Sequence, residues 1–178
     1  MMDRPDWKTA NEEVIKEALR QGELRLQAQV QLATSADQRA TMLAGIYIAA
    51  STGLLAALAA LAATASGSHP MPLALIVGAA ATALAFLAGA IFCILAVLPS
   101  SMHSPGNDPH EWYADIKDGK DHKVSLGEQS DWFDQHIIAN RRMLKRNAGF
   151  FLVGATSGIA APLFGLFAAG LVWLAGVF

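Results

Sequence analysis

Charge is scarce in this sequence, and what there is of it is unevenly placed. Only 16% of the 178 residues are Asp, Glu, Lys or Arg, against about 25% in ordinary soluble domains. None of them stands between Arg39 and Asp108, a gap of 68 residues, and none in the 32 residues after Arg146. A soluble element of that length needs a polar face. The gaps therefore exclude a soluble enzyme and a nucleic-acid-binding module. With 53% apolar residues, they exclude a disordered chain as well. Cysteine is nearly absent too. Cys93 stands alone in an apolar run, which leaves neither a disulfide framework nor a zinc site. The net charge of −2 is too small to select a soluble partner.

Long apolar runs fill the gaps. A transmembrane helix needs about 20 apolar residues, and three stretches qualify: residues 41–64, 71–98 and 149–178. They do not alternate polar with apolar in the manner of a membrane β-barrel. The first starts behind a long polar segment, unlike a signal peptide. Lys and Arg follow the same division. Six lie in residues 1–40, seven in residues 99–148 and none in the link ASGSHP at 65–70. Cations mark cytoplasmic segments. The expected organisation is a cytoplasmic N-terminal helix (1–40), a transmembrane hairpin (41–98), a cytoplasmic loop with an amphipathic helix (99–148) and a third span (149–178). The N-terminus then faces the cytoplasm, and residues 65–70 and Phe178 face outside.

The fold class is all-α, an integral membrane helical bundle. Capping boxes at Thr9-Ala10-Asn11-Glu12 and Ser125-Leu126-Gly127-Glu128 mark helix starts. No Pro follows either box before its span, so helices one (11–64) and three (127–173) are expected to extend from the membrane as a parallel cytoplasmic stalk. Each is then on the order of 70–80 Å long. Ser35-Ala36-Asp37-Gln38 is a point at which helix one could break. Phe133, Ile137, Asn140, Leu144, Asn147 and Phe151 recur at 4-3 spacing, and Ile15, Leu19, Leu26 and Ala33 match them on helix one. Such a stripe reads as an oligomer seam whose Asn residues fix register, or else as the edge of a merely amphipathic helix. Residues 99–124, punctuated by Pro99, Pro105-Gly106, Pro109 and Gly119, read as a loop or small cap.

Chemistry has few footholds. His103, His110, Glu111, Asp115, Asp118, Asp121 and His122 crowd one segment. Their spacing matches neither a calcium loop nor a helical zinc pair, so no metal and no cofactor is expected. The spans contain no ionisable side chain but Tyr47 and Cys93. Ser51, Thr52, Thr82, Thr156 and Ser157 have no base to activate them, which argues against an intramembrane protease or proton-coupled carrier and for a non-enzymatic role. Small residues recur every fourth position on span one (Gly45, Ala49, Gly53, Ala57), span two (Ala81, Ala85, Gly89, Cys93) and span three (Gly154, Gly158, then Ala161, Gly165, Ala169). This spacing lets helices approach closely, and homo-oligomerisation is expected to use what one chain cannot bury. Pro162 should kink span three, as a static bend or a hinge. Arg141, Arg142, Lys145 and Arg146 form a basic cluster that anchors the span to anionic headgroups or binds phosphate.

Several of these features occur together in one family. Asp37-Gln38-Arg39-Ala40 leads into span one, a Pro follows span two, Trp112-Tyr113-Ala114-Asp115-Ile116 comes next, and Asn140-Arg141-Arg142-Met143-Leu144-Lys145-Arg146 leads into span three. Over residues 15–175 this order resembles the small three-span bacterial effectors of Pycsar type, which act in antiphage (antiviral) defence. Arg39 stands where the family has Lys. The resemblance implies an inner-membrane effector that impairs the membrane during infection, triggered by a cyclic pyrimidine nucleotide from a partner cyclase. Nucleotide binding would then fall to residues 99–148 or the N-terminal helix. Two other functions fit the same topology: an accessory structural subunit of a larger membrane complex, and a regulated ion channel, although no charged ring or selectivity filter is present.

Overall fold

The computed structural model describes residues 5–64, 72–98 and 102–176. All regular structure among these residues is helical: α1 (Glu12–Thr64), α2 (Leu73–Val97), a 3₁₀ turn (Pro109–Trp112), α3 (Tyr113–Lys117) and α4 (His122–Leu174). Helices α1, α2 and α4 are each long and apolar enough to cross a membrane. The expectations for residues 65–70, Pro99 and Phe178 lie outside the described residues.

Helices α1 and α4 start where an Asx side chain can cap them, not at the expected hydroxyls. Asn11 Oδ1 accepts the Glu13 N–H at 2.8 Å, while the Thr9 hydroxyl donates to the Asp6 carbonyl at 3.0 Å. Asp121 Oδ1 accepts the Lys123 N–H at 2.8 Å. Ser125 is therefore buried inside α4 rather than at its head. In both cases a short Asn or Asp reaches the second helical N–H directly. Helix α1 runs through Ser35–Gln38 without a break. Helix α2 ends at Leu98, whose extended backbone (φ −53°, ψ 134°) is what a following Pro imposes. Residues 109–117, within the segment read as a loop or small cap, carry the 3₁₀ turn and α3. At the end of α3 the Gly119 N–H bonds the Ile116 carbonyl and the Lys120 N–H bonds the Asp115 carbonyl. This closure needs the left-handed Gly119 (φ 61°).

The chain divides into two compact units. One lies within residues 1–35 and 100–145. Its fully buried side chains include Ile15 and Leu26 of α1 and Phe133 and Asn140 of α4. Burying each of the three apolar ones contributes about 1.5–3 kcal/mol. Gly22 lies against the Phe133 ring, where a Cβ would come within 3.0 Å of Cδ2. Gln29 Nε2 donates to the Ile137 carbonyl at 3.2 Å. Trp7 covers Gly127 and donates its indole N–H to Asp131 at 3.1 Å. Within the chain, the stripe expected as an oligomer seam meets α1 at Phe133, which packs on Gly22, and at the Ile137 carbonyl, which takes Gln29, while Asn140 holds the His103 backbone. Leu144 is half-buried.

The other unit lies within residues 36–99 and 146–178. Ala44, Tyr47, Ala90 and Cys93 form its core, with Leu43 and Phe86 packed on it. The small residues of α2 and α4 meet one another. A Cβ on Gly154 would lie 2.9 Å from the Gly89 carbonyl oxygen, one on Gly158 would enter the Tyr47 ring, and one on Gly165 would strike Thr82. Ala81 and Ala85 are half-buried. Span one differs. Gly45, Ala49, Gly53 and Ala57 are exposed, and a Cβ at Gly45 or Gly53 would meet nothing within 4 Å. Polar groups are satisfied locally, as hydrocarbon requires. Tyr47 donates to the Ala155 carbonyl, Ser51 to the Ala83 carbonyl, and Thr52 and Thr156 to carbonyls one turn back. Helix α4 continues through exposed Pro162.

Candidate functional site

The site with the most built-in chemistry lies in the first unit, where residues 102–108 meet α4. Positions 133, 136 and 140 share one face of that helix by their spacing. Asn140, 1% exposed, uses both ends of its amide on one partner. Its Oδ1 accepts the His103 N–H at 3.0 Å, and its Nδ2 donates to the His103 carbonyl at 2.9 Å. One turn back, His136 lies flat against the His103 ring, with centroids 3.9 Å apart and planes 6° from parallel. Trp132 closes the other side at 4.1 Å and 53°. The backbone clamp and the ring stack together fix His103 to the helix.

Beside this contact is a cavity of about 370 Å³, within the size range of small-molecule sites. Its charged lining is Asp108 and Glu111, and no Lys or Arg lines it. Burial holds the His136 imidazole below its ordinary pKa of 6.5. His103 pushes it the same way, and Glu111 opposes them. His136 is therefore neutral at pH 7, with one ring nitrogen free to accept. Asn107 Oδ1 is buried with no hydrogen-bond partner among the described residues.

The residues singled out in the sequence fall in different places. The crowded His and acidic segment does not converge, and among the described residues no three His, Cys, Asp or Glu side chains could hold a metal ion. His103 goes to the stack. Asp121 caps α4. The Ser125 hydroxyl, and next the Lys120 ammonium at 3.2 Å, hold the Asp115 carboxyl below its usual pKa. Lys120 also pairs with Glu128. Arg141, Arg142, Lys145 and Arg146 are all exposed, and none lines the cavity. Arg146 donates to Asn147 Oδ1 at 3.3 Å, and Asn147 is half-buried.

The His103–His136 contact was not foreseen. His136 and Asn140 a turn apart on a seam are visible in the sequence, but no periodicity ties them to a loop residue. No family model, no curated protein and no solved structure matches this chain.

Proposed function

We propose that this chain is a non-enzymatic effector of the bacterial inner membrane that assembles into an oligomeric pore or membrane-disrupting ring. The observation that carries this reading is the contrast among the three small-residue stripes. Those of α2 and α4 are used up inside the chain, while Gly45, Ala49, Gly53 and Ala57 of α1 stay exposed. In lipid, helix association depends on such close-approach faces, because apolar area alone supplies no driving force. A second copy of the same chain is the economical partner.

The topology that supports the reading keeps residues 1–40 and 99–148 in the cytoplasm, with every Lys and Arg of the chain there. A trigger then has to act on the cytoplasmic unit. The resemblance to Pycsar-type effectors suggests a cyclic pyrimidine nucleotide. The exposed Arg141, Arg142, Lys145 and Arg146 supply forks for its phosphate, and the acid-lined cavity is the poorer place for an anion. Pro162 removes the donor to the Gly158 carbonyl, so α4 bends there with least loss if the assembly opens.

The test is dye release from anionic liposomes carrying the purified protein, with cyclic CMP, cyclic UMP or no nucleotide. Release that depends on protein density and rises with one nucleotide supports the reading. Intact liposomes under every condition contradict it, as does co-purification of an unrelated protein in fixed proportion.

A further inference from the structure

We propose that residues 102–108 form a pH-operated latch on α4, closed while the His103–His136 stack is neutral and released when the pair takes up a proton. The proposal concerns the cytoplasmic unit alone and stands whether or not the chain is an effector.

The latch has two fastenings at one residue. The Asn140 side chain holds the His103 backbone from both sides, and the His103 ring lies on His136. Parallel imidazoles 3.9 Å apart are compatible only with low charge. An imidazolium in the stack sets a full charge against its neighbour's ring dipole in a partly buried place, and two imidazoliums repel outright. The charged groups that line the cavity around the pair are Asp108 of the loop and Glu111 of the 3₁₀ turn, and α1 contributes nothing to that lining. Exposed His110 lies 4.0 Å from Asp108. Glu111 attracts a proton to His136, while burial and His103 repel it more strongly.

Two further features favour release. The closed loop keeps Asn107 Oδ1 buried without a partner among the described residues, and an unsatisfied acceptor is relieved when water reaches it. Gly106 sits in the left-handed region (φ 96°), and nothing lies within 4 Å of where a Cβ would stand, so the loop has a pivot between Pro105 and the 3₁₀ turn. Release would uncover the half-buried His136 face of α4.

The test is segment-resolved hydrogen–deuterium exchange on the full chain in detergent micelles, from about pH 8 to about pH 5.5, corrected for the intrinsic pH dependence of exchange. Protection of residues 102–108 should fall on the order of tenfold per pH unit below the ordinary imidazole pKa, while segments containing Ile15, Leu26 and Phe133 keep theirs. His136→Phe retains a flat ring without a titratable nitrogen, and its loop should stay protected throughout. A flat wild-type profile would overturn the proposal. So would an equal loss in His136→Phe, or a loss spread evenly over α1 and α4. Should His136→Phe fail to fold, His103→Phe and the wild-type localisation decide between the same outcomes.

Discussion

Asn140 holds the backbone of His103 as a neighbouring strand would, accepting its N–H at 3.0 Å and donating to its carbonyl at 2.9 Å. A side-chain amide buried to 1% exposure is tolerable on a seam only when both of its ends are used. Here a polar residue in a helical stripe fixes a loop, where the usual role of such an Asn is to fix a second helix.

Replacing Asn140 therefore strands two backbone groups. Asn140→Leu should lower the stability of the unit within residues 1–35 and 100–145 by about 2–4 kcal/mol, from two lost hydrogen bonds and the desolvated groups left behind. Asn140→Asp keeps one acceptor but sets a second carboxylate oxygen against the His103 carbonyl in a buried place, so at neutral pH it should destabilise at least as much as Asn140→Leu. Thermal melts of the detergent-solubilised chain, followed by circular dichroism, measure both.

The glycines of the long apolar helices separate packing within the chain from packing between chains. Gly158→Leu drives a side chain into the Tyr47 ring and should markedly lower the melting temperature, since overpacking typically costs about 1–3 kcal/mol or more. Gly45→Leu and Gly53→Leu point into open space and should leave the melt unchanged while reducing the mass of the solubilised particle. An unchanged particle mass in the second pair would remove α1 as the oligomer face.

How much of this could be read in the sequence follows from the range of each constraint. The three long helices were legible because each carries an unbroken apolar run long enough to cross a membrane. Buried positions such as Ile15, Leu26, Phe133 and Asn140 were legible because 4-3 spacing places them on one face. What they pack against was not, since the same stripe serves a helix of its own chain or of another. The start of α1 agrees with the expected residue 11 to within one position, although Asn11 rather than Thr9 caps it, and α4 starts at His122, ahead of the expected 127, because Asp121 caps it in place of Ser125. The His103–His136 stack was invisible, because contacts between a loop and a distant helix leave no period. The sequence likewise gave no hint that Asp115, Lys120 and Ser125 converge.

Asp115 sets an acid dependence at the start of α4. The Ser125 hydrogen bond and the Lys120 ammonium stabilise its ionised form, so its carboxyl titrates below the ordinary value of 3.8 when folded. A lowered carboxylate lends stability that is complete above the ordinary value and disappears as the pH falls through the lowered one. Exchange protection of α3 and the first turn of α4 should thus hold at neutral pH and decline in acid below about pH 4. Asp115→Asn should weaken the same segment at neutral pH and flatten its acid response.

The arrangement of three neutral helices and two cation-bearing segments is tested most directly by labelling with a membrane-impermeant thiol reagent. Intact cells would express single-cysteine chains carrying Ser68→Cys or Ser104→Cys in a Cys93→Ser background. Ser68→Cys should react from outside, and Ser104→Cys only after the cells are opened. Reaction of Ser104→Cys in sealed cells, or protection of Ser68→Cys, would contradict the topology on which the proposed function rests.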